Sequence, residues 1–158
     1  MIFSPEEYSS QNHGCTLNTI TNIEQFIFEN SGKYSKTELW AALPKKIMYQ
    51  SYKVVIEFLL FSGKIRVENR KVVWNNFDLN FDLSTYNAQN HAPTLTTITN
   101  ILEFVSKNSN IYSKTELWNA LPKKIMYQSY KVILEYLLIS GLLKIEGRKV
   151  IFIGGENK

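Results

Sequence analysis

One stretch of 21 residues occurs twice in this chain of 158 residues, and the repetition limits the fold more than any other feature. It reads YSKTELWAALPKKIMYQSYKV at Tyr34–Val54 and returns at Tyr112–Val132 with one change, Ala41 to Asn119. Pairing each residue n with residue n+78 needs no gap from Phe3 onward, and 44 of the 78 pairs are identical. A duplication of this extent predicts two copies of one small domain.

The repeat also predicts the domain boundaries. We expect a first domain at 1–76 with its core at 16–74, a connector with an extended segment at 77–93, and a second domain at 94–158 with its core at 94–152. A domain of about 60 residues buries only ~60% of the surface of its unfolded chain, so it is marginally stable alone. We therefore expect the two copies to touch, or the chain to form a dimer.

Local signals inside the repeated stretch predict a short helix, a turn and a longer helix. Ser35 and Glu38 have the spacing of a capping box, in which each side chain bonds the other residue's backbone N–H. Pro44 restricts the preceding residue and ends the short helix. The longer helix runs to Ser62, where Gly63 is placed to terminate it.

The flanking residues complete one unit. Apolar residues at helical spacing predict an earlier helix from about Thr16 to Asn30. After the longer helix, two β-rich runs around Asn69 predict a tight hairpin, and Gly147 occupies the matching turn of the second copy. The predicted fold is mainly α with small β-hairpins (α+β), arranged as two tandem winged helix-turn-helix domains of three helices and a two-stranded wing each.

The third helix of each unit is apolar on two sides. At 100° per residue one core face is predicted to contain Met48, Tyr52, Val55, Ile56 and Leu59. A second apolar stripe follows the later turns of the helix in both copies, at Val54, Phe58 and Phe61, and at Val132, Tyr136 and Ile139. We expect this stripe to be covered by the other copy, a second chain or the connector.

The charge of the chain is concentrated in the two cores. The chain has a net charge of +4. Residues 16–74 hold nine Lys/Arg and five Asp/Glu, residues 94–152 hold eight and four, and the remaining segments hold one and five. Each core is therefore +4 and the connecting segments are −4, which favours an anionic partner. The single cysteine excludes an intrachain disulfide, and the sequence predicts a cytoplasmic protein without a signal peptide or membrane span.

Two segments carry a family resemblance. LPKKIMYQSYKVVIEFLLFSGKI at Leu43–Ile65 and LPKKIMYQSYKVILEYLLISGLL at Leu121–Leu143 resemble the winged-helix domains of archaeal proteins of regulatory or unknown role. The resemblance covers 16–74 and 94–152, and it implies either DNA-binding transcriptional regulation or protein docking. It places the start of a recognition helix at Tyr49, Gln50, Ser51 and Lys53, with twins at Tyr127, Gln128, Ser129 and Lys131. It places the wing at Arg70, Lys71, Arg148 and Lys149.

The residue types suit contact with duplex DNA. Lysines beside a helix N-terminus oppose the helix dipole unless an anion binds there, so we predict that they contact phosphate. The alternative is that the turn is basic but only exposed to solvent. Gln50 can form two hydrogen bonds with adenine in the major groove. The alternative is that it is an ordinary exposed glutamine. The wing cations can reach a minor groove or phosphate. The alternative is that they protect an edge strand from aggregation. The lysines predicted to contact phosphate from the second and third helices are Lys36, Lys45, Lys46, Lys114, Lys123 and Lys124.

No arrangement of residues in the sequence predicts catalysis. There is no glycine-rich phosphate loop and no Ser/His/Asp set, and His13, His91 and Cys15 do not have the spacing of a zinc site. We therefore expect a non-enzyme without metal or cofactor. Two functions stay open: a DNA-binding regulator with two reading heads on double-stranded DNA, or a protein-interaction or dimerisation module that uses the apolar stripe and binds no nucleic acid.

Overall fold

The computed structural model describes residues 16–75 and 93–154, which contain the two predicted cores. In the first repeat the elements are α1 Leu17–Glu29, α2 Lys36–Ala42, α3 Tyr49–Ser62, β1 Ile65–Glu68 and β2 Lys71–Trp74. In the second repeat they are α4 Leu95–Lys107, α5 Lys114–Ala120, α6 Tyr127–Ile139, β3 Leu143–Glu146 and β4 Lys149–Phe152. Six helices and two antiparallel hairpins across the described residues confirm the α+β prediction. The extended connector and the predicted roles of His13, His91 and Cys15 lie outside these residues.

The helix ends lie where the sequence signals predict them. The Ser35 hydroxyl accepts from the backbone N–H of Glu38 at 3.2 Å, and the Glu38 carboxylate accepts from the backbone N–H of Ser35 at 2.9 Å. Both bonds of the capping box are thus formed, and the second repeat forms the same pair. Gly63 ends α3 with a φ of 80°, a left-handed conformation that glycine adopts at little cost.

Each hairpin turns through two residues with positive φ. Asn69 and Arg70 have φ values of 53° and 68°, and Gly147 and Arg148 have 58° and 72°. Positive φ at both central residues matches the twist of the flanking strands and gives the tight two-residue hairpin expected at Asn69. The second strand of each hairpin also bonds the segment between the first two helices, because Val72 exchanges backbone hydrogen bonds of 2.8 Å with residues 32 and 34.

Four of the five predicted core residues of α3 are buried, and Met48 is not. Tyr52, Val55, Ile56 and Leu59 are all at most 2% exposed, whereas Met48 is 50% exposed. The prediction for Met48 is wrong because Met48 is the N-cap, with a ψ of 142°. A residue with extended backbone does not follow the 100° spacing on which the prediction rested.

The two repeats pack against each other through equivalent residues. Thr16 and its repeat counterpart Thr94 form an antiparallel β-bridge, and the backbone N–H of Leu17 donates to the carbonyl of Pro93 at 2.7 Å. One hydrophobic cluster contains core residues of both repeats.

Most of the second apolar stripe is buried. Val54, Phe58, Val132 and Tyr136 are at most 4% exposed, while Phe61 and Ile139 are half-buried. Of the three covers that the sequence left open, the other copy is seen at Tyr136. Most of the stripe is therefore occupied within the chain and is not free to dock a second protein.

A buried polar cluster of Glu24, Lys64 and Tyr136 crosses between the repeats. The Lys64 ammonium lies 2.8 Å from Glu24 Oε2, the Tyr136 hydroxyl donates to the same oxygen at 2.5 Å, and the ammonium lies 4.2 Å from the centre of the Tyr136 ring. Burial lowers the pKa of Lys64, opposed by the nearby Glu24 carboxylate, and burial raises the pKa of Tyr136. These groups satisfy one another, as buried charges require.

The repeat counterparts of this polar cluster are all apolar. Glu24, Lys64 and Tyr136 correspond to Leu102, Leu142 and Phe58, and each of the three apolar residues is fully buried. The positions related to the polar cluster by the duplication are therefore occupied by buried apolar residues.

Candidate nucleic-acid interface

The first half of α3 presents an exposed surface of mixed charge and polarity. Lys45 and Lys46 precede the helix, and Tyr49, Gln50 and Lys53 lie on its first turns, all with exposed side chains. Ser51 is half-buried. The second repeat exposes the matching residues Lys123, Lys124, Tyr127, Gln128 and Lys131, with Ser129 half-buried. The first half of the third helix thus lies outside the contact between the repeats, which involves a later turn of that helix at Tyr136.

A chain of aromatic and lysine side chains holds this surface in place. We call Trp40, Lys46, Tyr49 and Lys53 the aromatic–lysine cluster. Lys46 lies 5.6 Å from the Trp40 ring, the Trp40 and Tyr49 rings meet edge to face at 5.0 Å, and Lys53 lies 5.9 Å from the Tyr49 ring. The Trp40 indole N–H donates to the carbonyl of Ile47 at 2.9 Å and fixes the ring against the turn. Cations on aromatic faces are favourable by about 0.5–1 kcal/mol at exposed sites.

The second repeat reproduces this cluster with nearly the same geometry. Trp118 and Tyr127 lie 5.0 Å apart, and Lys124 and Lys131 lie 5.6 and 5.8 Å from these rings. Both tryptophans are half-buried against the core. Their part in the surface was missed, although the fixed spacing of tryptophan, lysine and tyrosine in both copies was a usable signal.

The structure gives Lys46 and Lys124 a local role as well. The Lys46 ammonium donates to the carbonyls of Ala41 and Trp40 at 2.5 and 3.4 Å, and Lys124 does the same to Asn119 and Trp118 at 2.7 and 3.4 Å. These carbonyls end the second helix of each unit, where a cation is favoured by the helix dipole. We predicted phosphate contact because these lysines oppose the dipole of the third helix. For one lysine of each pair, Lys46 and Lys124, the carbonyls of the preceding helix offset that cost.

The α2 N-terminus is tied to α3 beneath the exposed surface. The Tyr52 hydroxyl donates to the carbonyl of Lys36 at 2.5 Å, and the Lys36 ammonium lies 3.9 Å from the Glu57 carboxylate. Tyr130 makes the same bond to the carbonyl of Lys114. Burial, and secondarily the neighbouring Tyr49, raises the pKa of Tyr52 above its usual range, so the phenol stays a donor. Lys36 and Lys114 themselves are exposed, as a backbone-contacting position requires.

The wing is anchored to α2 in the first repeat and to α5 in the second. The Lys71 ammonium lies 3.4 Å from Glu38, the glutamate of the capping box, and Lys149 lies 3.8 Å from Glu116. The capping bond from Ser35 and the ion pair with Lys71 lower the pKa of Glu38. Arg70 and Arg148, at the turn, are exposed. These glutamates neutralise part of the wing charge, which was not predicted because the contact depends on how the hairpin folds back.

Three predicted contact regions therefore form one connected surface in each repeat: the α2 N-terminus, the start of α3 and the wing. Lys36 joins α3 through Tyr52, and Glu38 joins the wing through Lys71. Four residues expose charged or hydrogen-bonding groups on this surface: Lys45, Gln50, Lys53 and Arg70. They come from separate segments of the unit.

Residues 16–75 and 93–154 offer neither a metal site nor a membrane span. These residues contain no group of three or more His, Cys, Asp and Glu side chains that could hold a metal ion. No helix in the same ranges has the length and apolar character needed to cross a membrane.

No protein-family model, no curated protein and no solved structure matches this chain. The resemblance to winged-helix domains is therefore still a prediction from the sequence.

Proposed function

We propose that this chain is a DNA-binding protein that regulates transcription by placing two winged helix-turn-helix heads on double-stranded DNA. In each head α3 or α6 is the recognition helix, and the hairpin is the wing. The element order of three helices followed by a two-stranded hairpin supports this arrangement. The proposal includes neither a catalytic step nor a cofactor, and it would have the chain act in the cytoplasm.

One observation carries the proposal. Both repeats expose the same set of cationic and amide side chains at the start of the third helix, although most of the later turns of that helix are buried. A helix used only for packing has no need of an exposed lysine, glutamine and tyrosine held by neighbouring rings. A helix whose first turns read base edges while its later turns pack inside is the arrangement that helix-turn-helix proteins use.

The residues divide into positioning and reading roles. Lys45, Lys53 and Arg70 are proposed to contact phosphates, which fixes the register of the head on the duplex. Gln50 is proposed to bond adenine N6 and N7 in the major groove, since its amide offers one donor and one acceptor. The exposed edge of Tyr49 is proposed to contact the sugar–phosphate backbone.

Some predicted contacts have a smaller role in this proposal. Lys46 and Lys71 are engaged by helix carbonyls and by Glu38, so their charge contributes to the local potential more than to direct bonding. Ser51, half-buried, is the weakest candidate for a base contact. The same holds for Lys124, Lys149 and Ser129 in the second head.

The alternative function, docking of a protein through the second apolar stripe, has less support. Val54, Phe58, Val132 and Tyr136 are buried inside the chain, so a partner could not reach them without a change in its packing. Only Phe61 and Ile139 are half-exposed.

The salt dependence of duplex binding tests the proposal. If three cations per head each contact one phosphate, about six counterions are released, and affinity falls roughly 10³-fold between 50 and 200 mM salt. Binding to a fluorescent random-sequence duplex would be measured by anisotropy across this range. No binding at micromolar protein, or an affinity that does not change with salt, would refute the proposal and favour protein docking.

Paired variants localise the contact. Lys45→Ala is expected to weaken binding to all sequences and to reduce the salt slope by about 1. Lys107→Ala removes the same charge from the end of α4, outside the proposed surface, where the ammonium pairs with Glu103 at 3.2 Å. The two variants have the same net charge, so an equal loss of affinity would mean that only overall charge matters.

A further inference from the structure

The two proposed reading surfaces are chemically the same. Residues 49–54 and 127–132 are identical, and the exposed side chains among them match one for one. The aromatic ring separations, 5.0 Å in both repeats, show that the surfaces also agree in shape. Two such heads would read the same short DNA sequence.

The contact between the repeats defines how the two heads are oriented. Thr16 pairs in antiparallel fashion with Thr94, which is its own counterpart 78 residues later. Antiparallel pairing of equivalent residues is produced by a two-fold rotation, whereas a head-to-tail arrangement pairs non-equivalent positions. The bridge therefore marks a local two-fold axis that passes between Thr16 and Thr94.

The side chains at the interface agree with this axis. Tyr136 of α6 reaches across to Glu24 of α1, and its counterpart Phe58 of α3 is as fully buried as the corresponding position on α4, Leu102. Burial at both pairs of related positions is consistent with an isologous interface, in which equivalent surfaces meet. The single chain thus has the arrangement of a symmetric dimer.

We infer that the DNA target of this chain is an inverted repeat of one short half-site, a deduction that rests on the proposed function. A two-fold rotation leaves position along its axis unchanged, so the starts of α3 and α6 lie at the same height along that axis. Duplex DNA has two-fold axes perpendicular to its length, and heads related by such an axis meet the two strands in opposite directions. A chain with two tandem domains could instead bind a direct repeat, but the Thr16–Thr94 bridge favours an inverted repeat.

The repeat also predicts how the half-sites share the binding. The exposed recognition residues are identical, so the half-sites contribute equally to affinity and require the same bases. Gln50→Ala and Gln128→Ala are therefore a matched pair. Each is expected to weaken binding about 10-fold and to relax base preference in one half-site only.

Selection from random duplexes by the full chain is the test. Duplexes of about 30 base pairs accommodate two half-sites one helical turn apart. The selected half-site would then be presented as an inverted repeat, a direct repeat and a single copy. The inverted repeat is expected to bind about 100-fold more tightly than the single copy, because the second head binds at high effective concentration.

The outcomes separate this inference from the proposed function. Selected sites without two-fold symmetry, a direct repeat bound as tightly as the inverted one, or unequal losses from the two glutamine variants would overturn the inverted-repeat inference and leave DNA binding intact. Failure to bind any duplex, at low salt and micromolar protein, would overturn both.

Discussion

Replacing Lys64 by leucine is expected to lower the free energy of unfolding by about 3–5 kcal/mol, because it breaks a buried ion pair from one side. The Glu24 carboxylate is 1% exposed and, among the described residues, would keep the Tyr136 phenol as its donor. Either the carboxylate stays charged without a counterion, or it takes up a proton, and both cost free energy. A domain of ordinary stability, about 5–15 kcal/mol, would lose a large share of it.

The duplication provides the control that makes this prediction sharp. The triple variant Glu24→Leu, Lys64→Leu, Tyr136→Phe installs at the polar position the residues that already pack at the related position. Replacing a whole buried ionic group by well-packed apolar residues is often neutral or stabilising by about 1–4 kcal/mol. The triple variant is therefore expected to be at least as stable as the parent chain, although it contains the damaging single change.

Urea unfolding followed by circular dichroism measures these differences at pH 7. An exposed-site control, Lys33→Leu, should change stability by no more than about 0.5 kcal/mol. If Lys64→Leu cost less than about 1 kcal/mol, or if the triple variant were no more stable than Lys64→Leu alone, the assignment of this cluster as a mutually dependent buried group would be refuted.

Three further predictions concern local features. Ser35→Ala removes one bond of the capping box and is expected to cost about 1 kcal/mol, seen as a lower Tm; an unchanged Tm would contradict it. Burial raises the pKa of three tyrosines, Tyr52, Tyr130 and Tyr136, above the usual value of 10.0. The folded state keeps these protons where the unfolded chain loses them, so stability should fall above pH 10 by about 1.4 kcal/mol per pH unit for each tyrosine, measured as urea midpoints. Arg70→Gly relieves a left-handed residue and should raise stability by about 1 kcal/mol while weakening duplex binding; reduced stability would show that the turn needs the arginine.

Local features of the fold could be predicted because their causes lie within a few residues. The capping box at Ser35, the stop at Gly63 and the hairpin at Asn69 each follow from the chemistry of adjacent positions, and all three are confirmed. Met48 is an exception. Its spacing fits the core face, but the helix begins one residue later, so spacing within the helix does not apply to it.

Features that depend on how the repeats meet could not be predicted in the same way. The sequence showed that the stripe through Val54 and Phe58 needed a cover, but it left three covers open. Glu24 interrupts an apolar stripe in α1, where its counterpart is Leu102, and this was a signal that a partner was required. That the partners are Lys64, beyond the end of α3, and Tyr136, 112 residues away, follows only from tertiary structure.

The placement of polar groups at one side only of the interface restricts which halves can associate. Two first halves from different molecules would set Glu24 and Lys64 against Phe58 and leave the carboxylate without its phenol, twice over. Two second halves would offer the Tyr136 hydroxyl a leucine in place of the Glu24 carboxylate that accepts its hydrogen bond. Only a first half with a second half brings the Tyr136 hydroxyl to the Glu24 carboxylate, so like-with-like assembly is disfavoured. Divergence after the duplication has thus made two similar halves into complementary ones.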